Sequence, residues 1–309
     1  MLIQGSNVIT LGYDAFNPSS PSYVLKLEWA ITHLNAITVQ AGRFIEGDFN
    51  TPVGEEYEFL EDGWVILKWG EIKPTPPTWP LHLGDYLHDL RSALDHMIYA
   101  IAVANGHPDP DHTQFPIYDA LAKWTEDIEQ RDPTLKPSPV AGLPDQVIED
   151  IKSLQPFRHK SDKARKKDHL MRLLRMSNAD KHRRLYASML STGKIQHLRF
   201  DPPGYIRILR KRVPPAGRAP KRGAEIARVQ IERLRELDTE VGARYKAPVQ
   251  IAFGEQGEET PGVTAAVLFA ILNAVIEVGN TLAPHLKDGF SHSASQPDAL
   301  PLQDRDHFS

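Results

Sequence analysis

Tyr23, Leu27, Ala30, Leu34, Ile37, Ala41 and Phe44 recur at alternating four- and three-residue intervals. At about 100° per residue this spacing lays them along one stripe of a helix. It predicts a first helix over about 22–46, introduced by Pro18 and Pro21 and ended by Gly47. Leu83, Leu87, Leu90, Leu94, Met97, Ile101 and Ala104 repeat the spacing and predict a second helix over 81–105, stopped by Asn105-Gly106. Further long helices are expected over 165–190 and 263–284, with short ones near 118–130 and 144–154.

Elsewhere the pattern has a period of two. Tyr57–Leu60 and Trp64–Trp69 flank Glu61-Asp62-Gly63 and read as a hairpin. The proline-rich stretch Lys73–Pro80 cannot pair as a strand and acts as a spacer. Ile195–Phe200, Tyr205–Val213, Ile226–Ile231 and Val249–Phe253 read as strands, while 233–245 fits helix or loop. Residues 1–20 read as a leader with a short strand at Asn7–Leu11, and 287–309 as a disordered polar tail. These elements predict an α+β fold: a bundle of about four long helices, a β-hairpin insertion over 55–70 and a small antiparallel sheet within 194–254. All of it falls in one domain, 1–286.

Composition narrows the chemistry. The chain of 309 residues, 41% apolar, can bury a sizeable core, and its lack of cysteine excludes disulfides, thiolate metal sites and cysteine nucleophiles. The N-terminus has no basic region followed by a long apolar run, and Asn273 and Glu277 interrupt the apolar segment Val263–Val278. A cytoplasmic protein with a buried last helix and no membrane span is expected.

Charge is unevenly spread. Arg158–Arg222 holds 20 Lys and Arg against four Asp, a balance of +16, so the net −4 leaves −20 elsewhere. Such segregation suits an anionic partner, most simply RNA, or docking of the basic segment on the acidic remainder of the same molecule.

Two segments concentrate polar side chains. On the second helix, His88, Arg91 and Asp95 form one polar stripe and Asp85, Asp89, Ser92 and His96 another. On the third, the stripe Met171, Leu174, Asn178, His182, Leu185, Met189 carries Asn178 and His182 where apolar side chains belong, inside the run Ser177-Asn178-Ala179-Asp180-Lys181-His182-Arg183. If buried there, both need partners; a helix break with Ser177 as cap would also explain them. A carboxylate–histidine metal set from Asp85, Asp89, His96 and His182 would give a metal-dependent hydrolase, and the loop residues Asp109, Asp111 and His112 are a weaker metal group. There is no HExxH, EF-hand, P-loop, GxGxxG or nucleophile elbow, so no cofactor is expected.

Arg91-Ser92-Ala93-Leu94-Asp95-His96 places a His five residues after an Arg within a helix, and this resembles the HEPN superfamily of helical-bundle proteins, which includes metal-independent endoribonucleases. The resemblance implies a cleft, often between two subunits of a homodimer, in which Arg91 holds the phosphate and His96 handles the proton of 2′-hydroxyl attack. His182 would join the catalytic set, with Asn178, Lys181, Arg183 and His88 contacting substrate. It requires the second and third helices to be neighbours. The alternative is a non-catalytic binding protein, in which Arg91 clamps Asp95 or a backbone carbonyl and Asn178 and His182 tie the bundle to the Phe115–Ile117 turn.

Overall fold

The computed structural model describes residues 20–46, 53–107, 112–130, 138–182, 185–234, 241–255 and 262–290. Within them the chain is a mixture of seven α-helices and three small antiparallel sheets. It divides into two compact units, one of residues up to Val39, Pro80–Leu185 and Ala265 onward, the other of Gln40–Trp79 and Tyr186–Thr264. The expected strand at Asn7–Leu11, Asp109, Asp111, Arg183 and the tail beyond Phe290 lie outside the described residues.

The first unit is helical. It holds most of α1 (Ser22–Glu46) and α2 (Trp79–Ala104), then α3 (Leu121–Trp124), α4 (Asp145–Ser153), α5 (Asp162–Lys167), α6 (His169–His182) and α7 (Ala265–Leu282). The stripes read from spacing are its core: Leu27, Ala30 and Leu34 of α1, and Leu83, Leu87, Leu90, Leu94, Met97 and Ile101 of α2, are fully buried. α7 is long and apolar enough to cross a membrane by length and composition alone, yet nine of its residues, Leu268 to Leu282, are buried within the protein. The Tyr86 hydroxyl donates to the Leu268 carbonyl at 2.6 Å. The first residues of the expected tail are packed: Phe290 is buried, Tyr23 donates to the Gly289 carbonyl at 2.9 Å, and a Cβ at Gly279 would collide with the Phe290 ring.

One expected helix is corrected. The span 165–190 is two helices and a strand, because Asp168 starts a new helix: its carboxylate accepts from the amides of Leu170 and Met171 at 2.8 and 3.1 Å. α6 then runs unbroken through Ser177 to His182, and Leu185 and Met189, read as later turns of its stripe, belong to a strand.

The second unit carries the sheets. β1 (Val53–Phe59) and β2 (Trp64–Ile72) form the expected hairpin, with Gly63 at a φ of +79° in the turn. Strands β3 (Leu185–Ser191), β4 (Gln196–Asp201), β5 (Ile206–Arg212), β6 (Glu225–Arg233), β7 (Gly242–Lys246), β8 (Val249–Glu255) and β9 (Val263–Thr264) follow. They assemble as β1-β2-β6-β5, β3-β8-β9 and β4-β7. The end of the 233–245 stretch, read as helix or loop, is therefore strand β7 paired with β4. Tyr245 on β7 is buried, and its hydroxyl lies 2.7 Å from the Glu56 carbonyl and 2.6 Å from that of Lys68, which fastens the β4-β7 pair to the hairpin.

Candidate functional site

Beside its buried stripe, α2 carries the run of polar side chains from Asp85 to His96. Arg91 and Asp95 stand one turn apart and pair at 3.1 Å. The Arg91 Nη2 also donates to the Phe115 carbonyl at 2.6 Å, and Asp95 accepts from the Phe115 amide at 2.9 Å. From the other side the buried Gln155 donates to the Pro116 carbonyl and accepts from the Tyr118 amide, each at 2.9 Å. The Phe115–Tyr118 segment is thus a non-helical strap, buried over Phe115–Ile117, four of whose backbone groups are satisfied by three side chains. Burial pushes the Arg91 guanidinium below its ordinary value, against the pull of Asp95. Burial likewise raises Asp95, opposed first by Arg91 and then by the Phe115 amide, His96 and Lys181.

α6 meets the same helix. The Asp180 carboxylate sits where a side chain at position 84 would be: a Cβ on Gly84 would stand 2.7 Å from Asp180 Oδ2. Burial raises Asp180, Asp85 raises it further and His88 opposes. Lys181 is exposed but close enough to support the charge on Asp95. Asn178 and His182, expected on the buried stripe, are exposed; the face α6 buries is Leu170, Leu173, Met176, Ser177 and Ala179. The expected stripe runs through Leu185 and Met189, which belong to β3; the helix that ends at His182 buries the neighbouring stripe of Leu170, Leu173 and Met176, continued by Ser177 and Ala179. Neither Asn178 nor His182 serves the Phe115–Ile117 strap, which Arg91, Asp95 and Gln155 hold instead.

His96 is half-buried, with an Nδ1 that is buried and without a hydrogen-bond partner among the described residues, and the Arg91 Nη1 is in the same condition. His88 is exposed, 3.5 Å from the Ser92 hydroxyl. On the other flank of α2, facing α1, Asp85 and Asp89 of the expected metal set lie beside two histidines that the sequence reading passed over. His82 and His33 approach at 3.3 Å, and with Asp85 they form the metal-competent group among the described residues. The buried Asp89 pairs with Lys26 at 2.8 Å. The i,i+3 spacing of His82 and Asp85 was the available signal; His33 had none. Of the hydrolase set, His182 lies at the exposed end of α6, and Asp89 is already neutralised by Lys26.

A separate polar surface lies in the second unit. Val65 and Leu67 on β2 and Ala227, Val229 and Ile231 on β6 are buried, so Trp64, Ile66, Arg228 and Gln230 occupy the opposite face of the four-stranded sheet. On the edge strand β5, Arg207, Arg210 and Arg212 pair with Glu232, Gln230 and Arg228, which puts them on that same face. A bulge between Ile208 and Arg210 makes this possible: it takes up Leu209 and restores Arg210 and Arg212 to the outer side. The Arg212 guanidinium carbon lies 5.6 Å from the centre of the Trp64 ring. Arg207 is neutralised by Glu232 and Arg228 by Glu225, whereas Arg210, Lys211, Arg218 and Lys221 make no ion pair among the described residues.

No protein-family model, curated protein or solved structure matches the chain.

Proposed function

We propose that the protein binds single-stranded nucleic acid through the outer face of its β1-β2-β6-β5 sheet. The observation that carries this is the convergence of Trp64, Arg210, Arg212 and Arg228 on one solvent-facing surface, with Arg212 over the Trp64 ring. Arginine forks hold phosphate oxygens, an aromatic plane accepts a base, and together they recognise a single strand without needing its sequence. The +16 of Arg158–Arg222 is only partly spent on internal pairs. Arg207 and Arg222 meet Glu232 and Glu56, while the cations of β5 beyond the bulge remain exposed to a partner. In this reading Arg91 and Asp95 are architecture, and α1, α2, α6 and α7 are a bundle that carries the strap.

Anisotropy of labelled single-stranded RNA, titrated with the full chain across a salt series, tests the reading. Log K should fall with log salt at about −0.7 per phosphate contacted, hence a slope near −1.4 for Arg210 and Arg212. Arg210→Ala with Arg212→Ala should flatten it by roughly 1.4. Trp64→Ala should cost about 1–3 kcal/mol of binding with the slope retained. Affinity indifferent to salt, or equal in the arginine variant, would refute the proposal.

A second reading is favoured by Arg91 Nη1 and His96 Nδ1 of α2, both buried and without a hydrogen-bond partner among the described residues. They suit a metal-independent ribonuclease in which Arg91 and His96 act on the phosphate and the 2′-hydroxyl, with His182 as a further proton carrier and Asn178, Lys181, Arg183 and His88 as substrate contacts. Cleavage of an RNA pool in EDTA by the wild type and its loss in a folded His96→Asn variant is the expected outcome of that reading. An uncut pool would remove it.

A further inference from the structure

His33 on α1 and His82 and Asp85 on α2 each bring one ligand atom to a common point, all within 4.8 Å of one another. The two histidines face each other through Nδ1, 3.3 Å apart. A zinc-class ion holds each imidazole nitrogen at about 2.0–2.1 Å, so two nitrogens at adjacent corners of a tetrahedron stand about 3.3–3.4 Å apart. The observed separation is that tetrahedron edge. His82 and Asp85 are three residues apart on one helix, so both project to the same side.

The surroundings supply what a bound imidazole needs behind it. His33 Nε2, on the far side of the ring from Nδ1, lies 4.0 Å from Asp89 Oδ2, a charge contact rather than a hydrogen bond. The Asp89 side chain is 5% exposed and anchored through its other oxygen to Lys26 at 2.8 Å. A carboxylate on that side of the ring favours a proton on Nε2, which leaves the opposite nitrogen free as a ligand. Trp29 packs edge-on against the His33 ring, centroids 5.5 Å apart, and fixes its orientation. A plain histidine–histidine hydrogen bond would explain the short Nδ1 contact, but not the carboxylate of Asp85 on the same point or the carboxylate of Asp89 behind the ring. Asp85 is exposed, so three protein ligands would leave a coordination position open to solvent.

We propose that His33, His82 and Asp85 bind one zinc-class divalent transition-metal ion, with the Asp89 carboxylate behind His33 and the remaining position open to water. The site is independent of nucleic-acid binding by the sheet. Full-length protein stripped with EDTA and dialysed free of chelator is titrated with Zn²⁺ by calorimetry and with Co²⁺ by visible absorption. One equivalent of each is expected to bind, with intense d–d bands reporting tetrahedral Co²⁺. His33→Gln and His82→Gln should weaken Zn²⁺ at least about 100-fold, and Asp89→Asn, which touches no metal, roughly 10–100-fold. His285→Gln, whose ring pairs with Asp150 elsewhere, should bind as the wild type does. Circular dichroism of each apo variant establishes that it is folded. Wild-type protein that binds no stoichiometric Zn²⁺, or a His82→Gln variant that binds it as well as the wild type, overturns the proposal.

Discussion

Arg91→Met separates the architectural role of this arginine from a catalytic one. Methionine keeps the length and packing of the stem and deletes the guanidinium. Two interactions go: the charged hydrogen bond to the Phe115 carbonyl at 2.6 Å and the pair with Asp95 at 3.1 Å. A hydrogen bond to a charged donor contributes about 1.5–3 kcal/mol, and the carbonyl left behind is buried. Asp95 is 31% exposed, so solvent screens part of the loss on that side and about 1 kcal/mol is a fair allowance. The sum is about 3 kcal/mol, or roughly 6–12 °C in melting temperature for a unit of this size. The loss also depends on pH. Burial already holds the Asp95 carboxyl above its ordinary value in the fold, so its ionised form costs stability at neutral pH, and that cost disappears as pH falls through the folded value. Without Arg91 the folded value rises further. The gap between variant and wild type should therefore be widest near pH 7 and narrow on acidification, as Asp95 takes up its proton. Thermal and urea unfolding of both proteins between pH 7 and pH 5 measure this. A change below about 1 kcal/mol, or a gap that stays constant or widens towards acid, would refute the clamp.

Gly84→Ala has two opposed terms: alanine gains about 1 kcal/mol of helix propensity, while its Cβ would press on the Asp180 carboxylate. It should be neutral or destabilising in the wild type but stabilising by up to about 1 kcal/mol in an Asp180→Ala background, and equal effects in the two backgrounds would deny the contact. Tyr245→Phe removes the hydroxyl shared by the Glu56 and Lys68 carbonyls and should cost about 1–2 kcal/mol in urea unfolding with the slope unchanged. Asp168→Ala uncaps α6 and should cost about 1 kcal/mol, Asp168→Asn less, which ranks the two variants in a thermal melt.

What the sequence made legible was local. The stripes of α1 and α2 depend only on the helical period, and every large apolar position read on α2 from Leu83 to Ile101 is fully buried. The hairpin was legible because Asp-Gly supplies both the side-chain acceptor and the positive φ its turn needs: Asp62 accepts from the Trp64 amide at 3.3 Å, and Gly63 adopts the left-handed conformation. α6 misled because its stripe was continued into Leu185 and Met189 of a strand, whereas the helix buries Leu170, Leu173 and Met176, ends its inward face on Ser177 and Ala179, and seats Asp180 on Gly84. Small side chains carry little hydrophobic signal and yet permit close approach. The helix boundary at Asp168 was hidden for a related reason: the residue sits among basic neighbours, and its capping role shows only in the two amides it accepts.

Which faces meet is a different kind of information, and no periodicity holds it. His33 and His82 are 49 residues apart, and their contact follows from the packing of α1 on α2, which either stripe alone leaves undetermined. The sheet face shows the same limit more sharply. Strict alternation along Ile206–Arg212 would send Arg207, Leu209 and Lys211 to one side and Arg210 and Arg212 to the other, splitting the cations between the two faces. The bulge at Leu209 reverses the parity of everything after it, and only then do Arg210 and Arg212 share a surface with Trp64. A single unpaired residue thus decides whether the basic strand presents a coherent surface or two dilute ones. It leaves no trace in composition, because the same residues in the same order are compatible with both.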